Sequence, residues 1–172
     1  MKKKVPSNIF DSFKGFNKIL VTGPQRSGTT ICAKMIEYDL GLDYIDENRV
    51  GVSKKYSVDS LMRATNRFVL QCPGIAYMAH TFKDIEDLAV IFMVRSVSDI
   101  IKSQERIEWP YEKLELKKYG AEAGPIAEVK YRFWRRDQKP NMNNAFEINY
   151  KSLAAHKLWV EERKHFGPRQ WM

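Results

Sequence analysis

The segment Lys18–Thr30 (KILVTGPQRSGTT) constrains the fold of this chain more than any other stretch. Lys18–Thr22 is a short apolar run, which suits a buried strand. Gly23-Pro24 ends it, and a helix opens at Ser27 or Gly28 and reaches about Asp39, with Ile31, Met35 and Ile36 on one face and Gly41 as its stop. Gly23 and Gly28 stand five apart in the connecting loop. Glycines so placed let the backbone wrap an anion, with successive N–H groups and the helix N-terminus pointing at it. An ordinary glycine turn is the alternative. The strand, the loop arginine Arg26 and the paired Thr29-Thr30 together favour anion binding.

This is the P-loop arrangement with one departure. The P-loop pattern carries Lys after its second Gly; here that position is Thr29, and Thr30 keeps the hydroxyl place. The positive charge sits inside the loop instead, at Arg26. An NTPase also usually holds magnesium with an Asp at the end of a neighbouring strand. The most apolar run of the chain, Leu88–Val94, ends in Arg95. A cation there suits a second anionic group better than a metal.

Elsewhere, Arg67–Cys72 and Leu88–Val94 read as buried strands and Ala145–Tyr150 as a further one. Helices are expected over 58–65, 75–87, 96–106, 125–137 and 152–166, with 43–56 mostly loop and 1–17 a loosely ordered lead-in. Strands alternating with helices imply a mainly parallel α/β sheet of about four or five strands in one compact domain. Ligands then sit beyond the carboxyl ends of the strands.

Composition excludes several classes. The chain has 172 residues, 44% hydrophobic and 29% charged, as a soluble globular domain does. Its two cysteines, Cys32 and Cys72, rule out a disulfide scaffold and a four-thiolate zinc site. Three histidines make a His-rich metal centre a poor expectation. No apolar run approaches ~18 residues, so no membrane span is indicated; no long apolar stretch follows the basic N-terminus MKKKVPSNIF, so it does not read as a secretory signal, and a reducing cytoplasm is the expected setting. A formal charge of +8 favours anionic partners, but the basic residues are scattered and carry no nucleic-acid signature.

With these residues in view the chain resembles the sulfotransferases that use 3′-phosphoadenosine-5′-phosphosulfate (PAPS). Arg26-Ser27-Gly28-Thr29-Thr30 matches the family's phosphosulfate loop. Arg95 after a strand, with Ser103 eight residues on, matches its second motif. The closer likeness is to the protein-tyrosine sulfotransferase branch, whose base-bearing segment is matched by Asp46-Glu47-Asn48-Arg49-Val50. Where that branch has a strand Lys, this chain has Gln71.

The resemblance implies a role for each matched residue. Gln25, Arg26, Ser27, Gly28, Thr29 and Thr30 would hold the 5′-phosphosulfate, and Arg95 and Ser103 the 3′-phosphate. Glu47 would be the general base, Arg49 would orient the sulfuryl oxygens, and Arg26 would also neutralise the leaving phosphate. The implied donor is PAPS, with PAP as product and no metal. The acceptor would be a small molecule, a carbohydrate or a tyrosyl peptide. Two other readings stay open: a variant P-loop kinase or NTPase, and a non-catalytic nucleotide binder on the same scaffold. His80 reads as a surface or capping residue, and His156 and His165 are assigned no role.

Overall fold

The computed structural model describes residues 8–51, 57–106 and 123–159. The strands are β1 (Lys18–Thr22), β2 (Asp43–Asp46), β3 (Phe68–Gln71), β4 (Leu88–Val94) and β5 (Ala145–Asn149). The helices are α1 (Thr29–Leu40), α2 (Val58–Arg63), α3 (Val97–Arg106) and α4 (Ala123–Phe133). All strand pairs are parallel, in the order β2-β3-β1-β4-β5, so the phosphate-loop strand β1 lies at the centre. The expected single α/β domain with a parallel sheet flanked by helices is therefore what the chain adopts.

β1, β3 and the first six residues of β4 are buried at every position. This is why they read as unbroken apolar runs: both faces of a parallel sheet are covered. Ile19, Val21, Val69, Ile91 and Met93 point to one side, where α1 packs with Cys32, Met35 and Ile36. Leu20, Leu70, Val90 and Phe92 point to the other, against Leu61 and Met62 of α2, the turns after β3, and Trp134. Trp134 stacks on Phe92 at 4.6 Å and donates from Nε1 to Glu147 at 3.1 Å.

Four expectations change. Asp43–Asp46 is a strand rather than loop; it lies at the sheet edge with only Ile45 buried, so it has no apolar run to betray it. Residues 75–87 form no α-helix but 3₁₀ turns at Pro73–Ile75 and Ala79–Phe82. The buried residues Ala76, Ala79 and Phe82 recur every third position, the 3₁₀ repeat. Tyr150–Ala155 is likewise a 3₁₀ turn, and the rest of the expected terminal helix lies outside the described residues. Residues 8–17 are not a loose lead-in: Phe10 and Phe13 are 0% and 4% exposed. α1 packs over β1, β2 and β3, and the aromatic lead-in covers the remaining side, with Phe13 edge-on to Phe146 of β5 at 4.9 Å.

Among the described residues no helix is long and apolar enough to cross a membrane.

Candidate functional site

A parallel sheet gathers the carboxyl ends of its strands at one rim. The candidate residues follow from that: 23–30 after β1, Glu47 after β2, Cys72–Gly74 after β3, Arg95 after β4 and Tyr150 after β5.

The loop Gly23–Gly28 is shaped by backbone that only certain residues adopt. Gly23, Arg26 and Gly28 have φ of 138°, 67° and 100°. A Cβ on Gly23 would stand 3.0 Å from the Met93 carbonyl, and one on Gly28 would strike the Tyr150 ring. Ser27 is buried, and its Oγ donates to the Pro24 carbonyl at 2.6 Å. That bond closes the turn from inside. Gly28 heads α1 without a side-chain cap, so the first N–H groups of the helix have no side-chain acceptor there. Gln25 and Thr30 are half-buried at the two ends of the turn. Backbone donors at an uncapped helix start, next to close-approach glycines, make a cradle for a phosphate-like anion.

Thr29 is buried, and its Oγ1 accepts from Gln71 Nε2 at 3.1 Å. The strands flanking β1 thus end in an amide, at Gln71, and in a guanidinium, at Arg95. Neither offers a carboxylate. Among the described residues no group of three or more His, Cys, Asp or Glu side chains is placed to hold a metal.

Arg95 and Ser103 do come together with Arg26. Arg95 Nη1 donates to the Arg26 carbonyl at 2.8 Å, and its guanidinium lies 4.1 Å from the Tyr150 ring centre. Arg26 Nε donates to Ser103 Oγ at 2.9 Å, and Arg106 Nη2 reaches the same oxygen at 3.5 Å. Ser103 is 1% exposed, on the inner side of α3. Tyr131 Oη fixes the backbone of Arg95 by accepting from its N–H at 2.9 Å and donating to its carbonyl at 2.7 Å.

Glu47 lies in a second group. It is half-buried and accepts from the Gly74 N–H. Burial raises its carboxyl pKa above the ordinary value, and the neighbouring Asp46 raises it further; the Gly74 bond and Lys130 oppose the rise. Lys130 of α4 is only 6% exposed, with its ammonium 5.6 Å from the Tyr77 ring centre. Burial pushes the Cys72 thiol up to about 11, with Glu47 adding to the rise. A carboxyl so raised is a better proton acceptor once ionised.

Arg49 is not with either group. It is exposed and lines a cleft of about 400 Å³ along β2 with Glu37, Asp43, Tyr44 and Arg67. His80 lies in the second 3₁₀ turn, where its N–H donates to Gln138 Oε1 at 3.2 Å and its ring packs on Phe133. His156 is buried against Phe10, with Nε2 2.8 Å from Asp39 Oδ2. His165 lies outside the described residues.

The sequence pattern did not single out Arg106 or Lys130, and gave Tyr131 and Tyr150 no place beside Arg95. Their contacts join segments far apart in the chain, so no local spacing marks them.

No protein-family model matches the chain. No curated protein matches it either. A solved structure of shikimate kinase from Acinetobacter baumannii, in complex with shikimate, matches with a TM-score of 0.54 at 13% identity, over 80% of this chain and 85% of that one. Likeness at that identity speaks for the fold alone: the chain has a P-loop kinase-like α/β fold.

Proposed function

We propose that this chain is a P-loop nucleotide-binding transferase whose donor is PAPS, and that it moves a sulfuryl group to an acceptor hydroxyl. One observation carries the reading. Arg95 and Ser103, which the sequence places eight residues apart, both meet Arg26 at the rim of the phosphate loop. A loop with donors for one phosphate and guanidinium groups gathered beside it suits a nucleotide phosphorylated at two places.

The residues present fit such a donor. The glycine cradle and the uncapped start of α1 suit its 5′ end. Bound there, PAPS would supply an activated sulfuryl group and leave PAP behind. The chain's own part is to hold and to move a proton. The loop N–H groups and Arg95 stabilise negative charge at the loop. Glu47 takes the proton of the acceptor hydroxyl. Arg49, in the cleft along β2, orients acceptor rather than donor in this reading.

The likeness to shikimate kinase favours a second reading, phosphoryl transfer from ATP on a variant loop. The Gln71–Thr29 pair favours a third, nucleotide binding without transfer, because both positions where a lysine is expected are neutral.

Parallel assays with sulfur-labelled PAPS and γ-phosphorus-labelled ATP–Mg²⁺, over a panel of phenols, sugars and tyrosyl peptides, test the reading. Label transfer from PAPS that Glu47→Gln abolishes is the expected result. Transfer from ATP alone overturns it in favour of the kinase, and transfer from neither in favour of the binder.

A further inference from the structure

Arg95 stands between β4 and α3, outside both the strand and the helix. Its backbone N–H and carbonyl therefore take partners from elsewhere. One side chain serves both. Tyr131 Oη accepts from the N–H at 2.9 Å and donates to the carbonyl at 2.7 Å, and it comes from α4, 36 residues further along the chain. The phenol is itself held: its ring meets Phe92 edge-on at 5.9 Å and packs against the core that contains Trp134. Burial raises its pKa above the ordinary value, so the hydroxyl keeps the proton it donates. What this clamp places is a guanidinium. Arg95 Nη1 donates to the Arg26 carbonyl at 2.8 Å, and the group lies over the ring of Tyr150, which abuts Gly28. Arg26 has a left-handed φ of 67°, which non-glycine residues rarely take. The bond from Arg95 helps to hold that turn.

We infer that Tyr131 is a positioning residue of the nucleotide site: its hydroxyl sets the backbone of Arg95 and, through the Arg95 guanidinium, the shape of the phosphate loop. This rests on the loop as the nucleotide site and holds for either donor, PAPS or ATP. Tyr131 lies in neither sequence motif and acts without touching the nucleotide. A shift at the base of an arginine carries to its tip, and misplacing a site group by ~1 Å can cost about 100-fold in rate. The residue before it, Lys130, acts on Glu47. Helix α4 thus bears on both groups of the site, through two consecutive residues.

The test is calorimetric titration of PAP, ADP and ATP–Mg²⁺ into the full chain and into Tyr131→Phe, which keeps the ring and removes the clamp. Whichever nucleotide the unmodified chain binds is expected to bind about 10-fold more weakly to this variant. Arg95→Ala should weaken it at least as much. Because Tyr131 acts through Arg95, the double variant should bind within about twofold of Arg95→Ala alone. Asp39→Ala, which loses a buried bond near the far end of α1, is the stability control. It should lower the melting temperature and change nucleotide affinity by less than about twofold. Unchanged affinity in Tyr131→Phe or in Arg95→Ala would overturn the inference. So would a full further loss in the double variant, or an equal loss in Asp39→Ala. None of these results touches the donor class, which the preference of the unmodified chain between PAP and ADP decides. Binding of none of the three nucleotides by the unmodified chain would overturn the nucleotide site and this inference together.

Discussion

The side-chain amide of Gln71 donates to the hydroxyl of Thr29 at 3.1 Å, and both groups are buried. Thr29 holds the place of the P-loop lysine, and Gln71 ends the strand beside it. Both positions are neutral, and each answers the other. Positive charge at the rim comes instead from Arg26 and Arg95 beside the loop and from Lys130 near Glu47. Gln71→Leu leaves the buried Thr29 hydroxyl without its amide donor and is expected to cost about 1–3 kcal/mol in urea unfolding. Adding Thr29→Val should recover part of that loss. Strict additivity of the two changes would show that the pair is not coupled.

Gly28→Ala should destroy the cradle. Its φ of 100° strains any Cβ, and the added methyl would run into the Tyr150 ring. Loss of nucleotide binding with a destabilisation above about 1 kcal/mol is expected. Tyr150→Ala in the same chain removes the collision but not the strain, so nucleotide affinity should return only in part. Thermal unfolding and calorimetry of the two variants check both statements.

Glu47 predicts a pH dependence with a definite sign. Its folded pKa is raised, by burial first and Asp46 second, so the folded chain favours the neutral acid. The stability this contributes is full below the unfolded value, about 4.3, and is lost as pH rises through the folded one. Glu47→Gln should therefore be more stable than the unmodified chain at pH 7, with the gain vanishing in acid. In an activity profile the acid limb should lie above the ordinary value of a glutamate carboxyl. Lys130→Met removes a charge that lowers this pKa and should move the limb to still higher pH, whereas Asp46→Asn should move it down. A limb unmoved in both variants contradicts Glu47 as the base.

His156 is structural. Its Nδ1 accepts from the Leu158 N–H at 3.0 Å, so Nε2 carries the proton that Asp39 receives at 2.8 Å. Asp39→Ala leaves a buried N–H unpaired and is expected to cost about 1–3 kcal/mol. Asp39→Asn keeps an acceptor and should cost less. Neither should change the ratio of PAP to ADP affinity, which titrations of the folded variants would check.

The legible parts of the fold are those where burial dominates. β1, β3 and β4 are covered on both faces and read as apolar runs. β2 escaped because an edge strand with one buried side chain carries no such run. The turns after β3 read as a helix in the sequence because apolar spacings of three and four overlap over a short segment. In the site, the glycine spacing and the step from Arg95 to Ser103 were visible because each is local. The hold of Tyr131 on Arg95, the stacking of Tyr150 and the approach of Lys130 to Glu47 join distant segments, so only folding brings them together.

The most direct measurement is calorimetric titration of the unmodified chain with PAP, ADP and ATP–Mg²⁺. PAP is expected to bind in the micromolar range, at least ~10-fold tighter than ADP, with no requirement for Mg²⁺. Equal affinity for PAP and ADP, or a preference for ATP–Mg²⁺, would contradict PAPS as the donor.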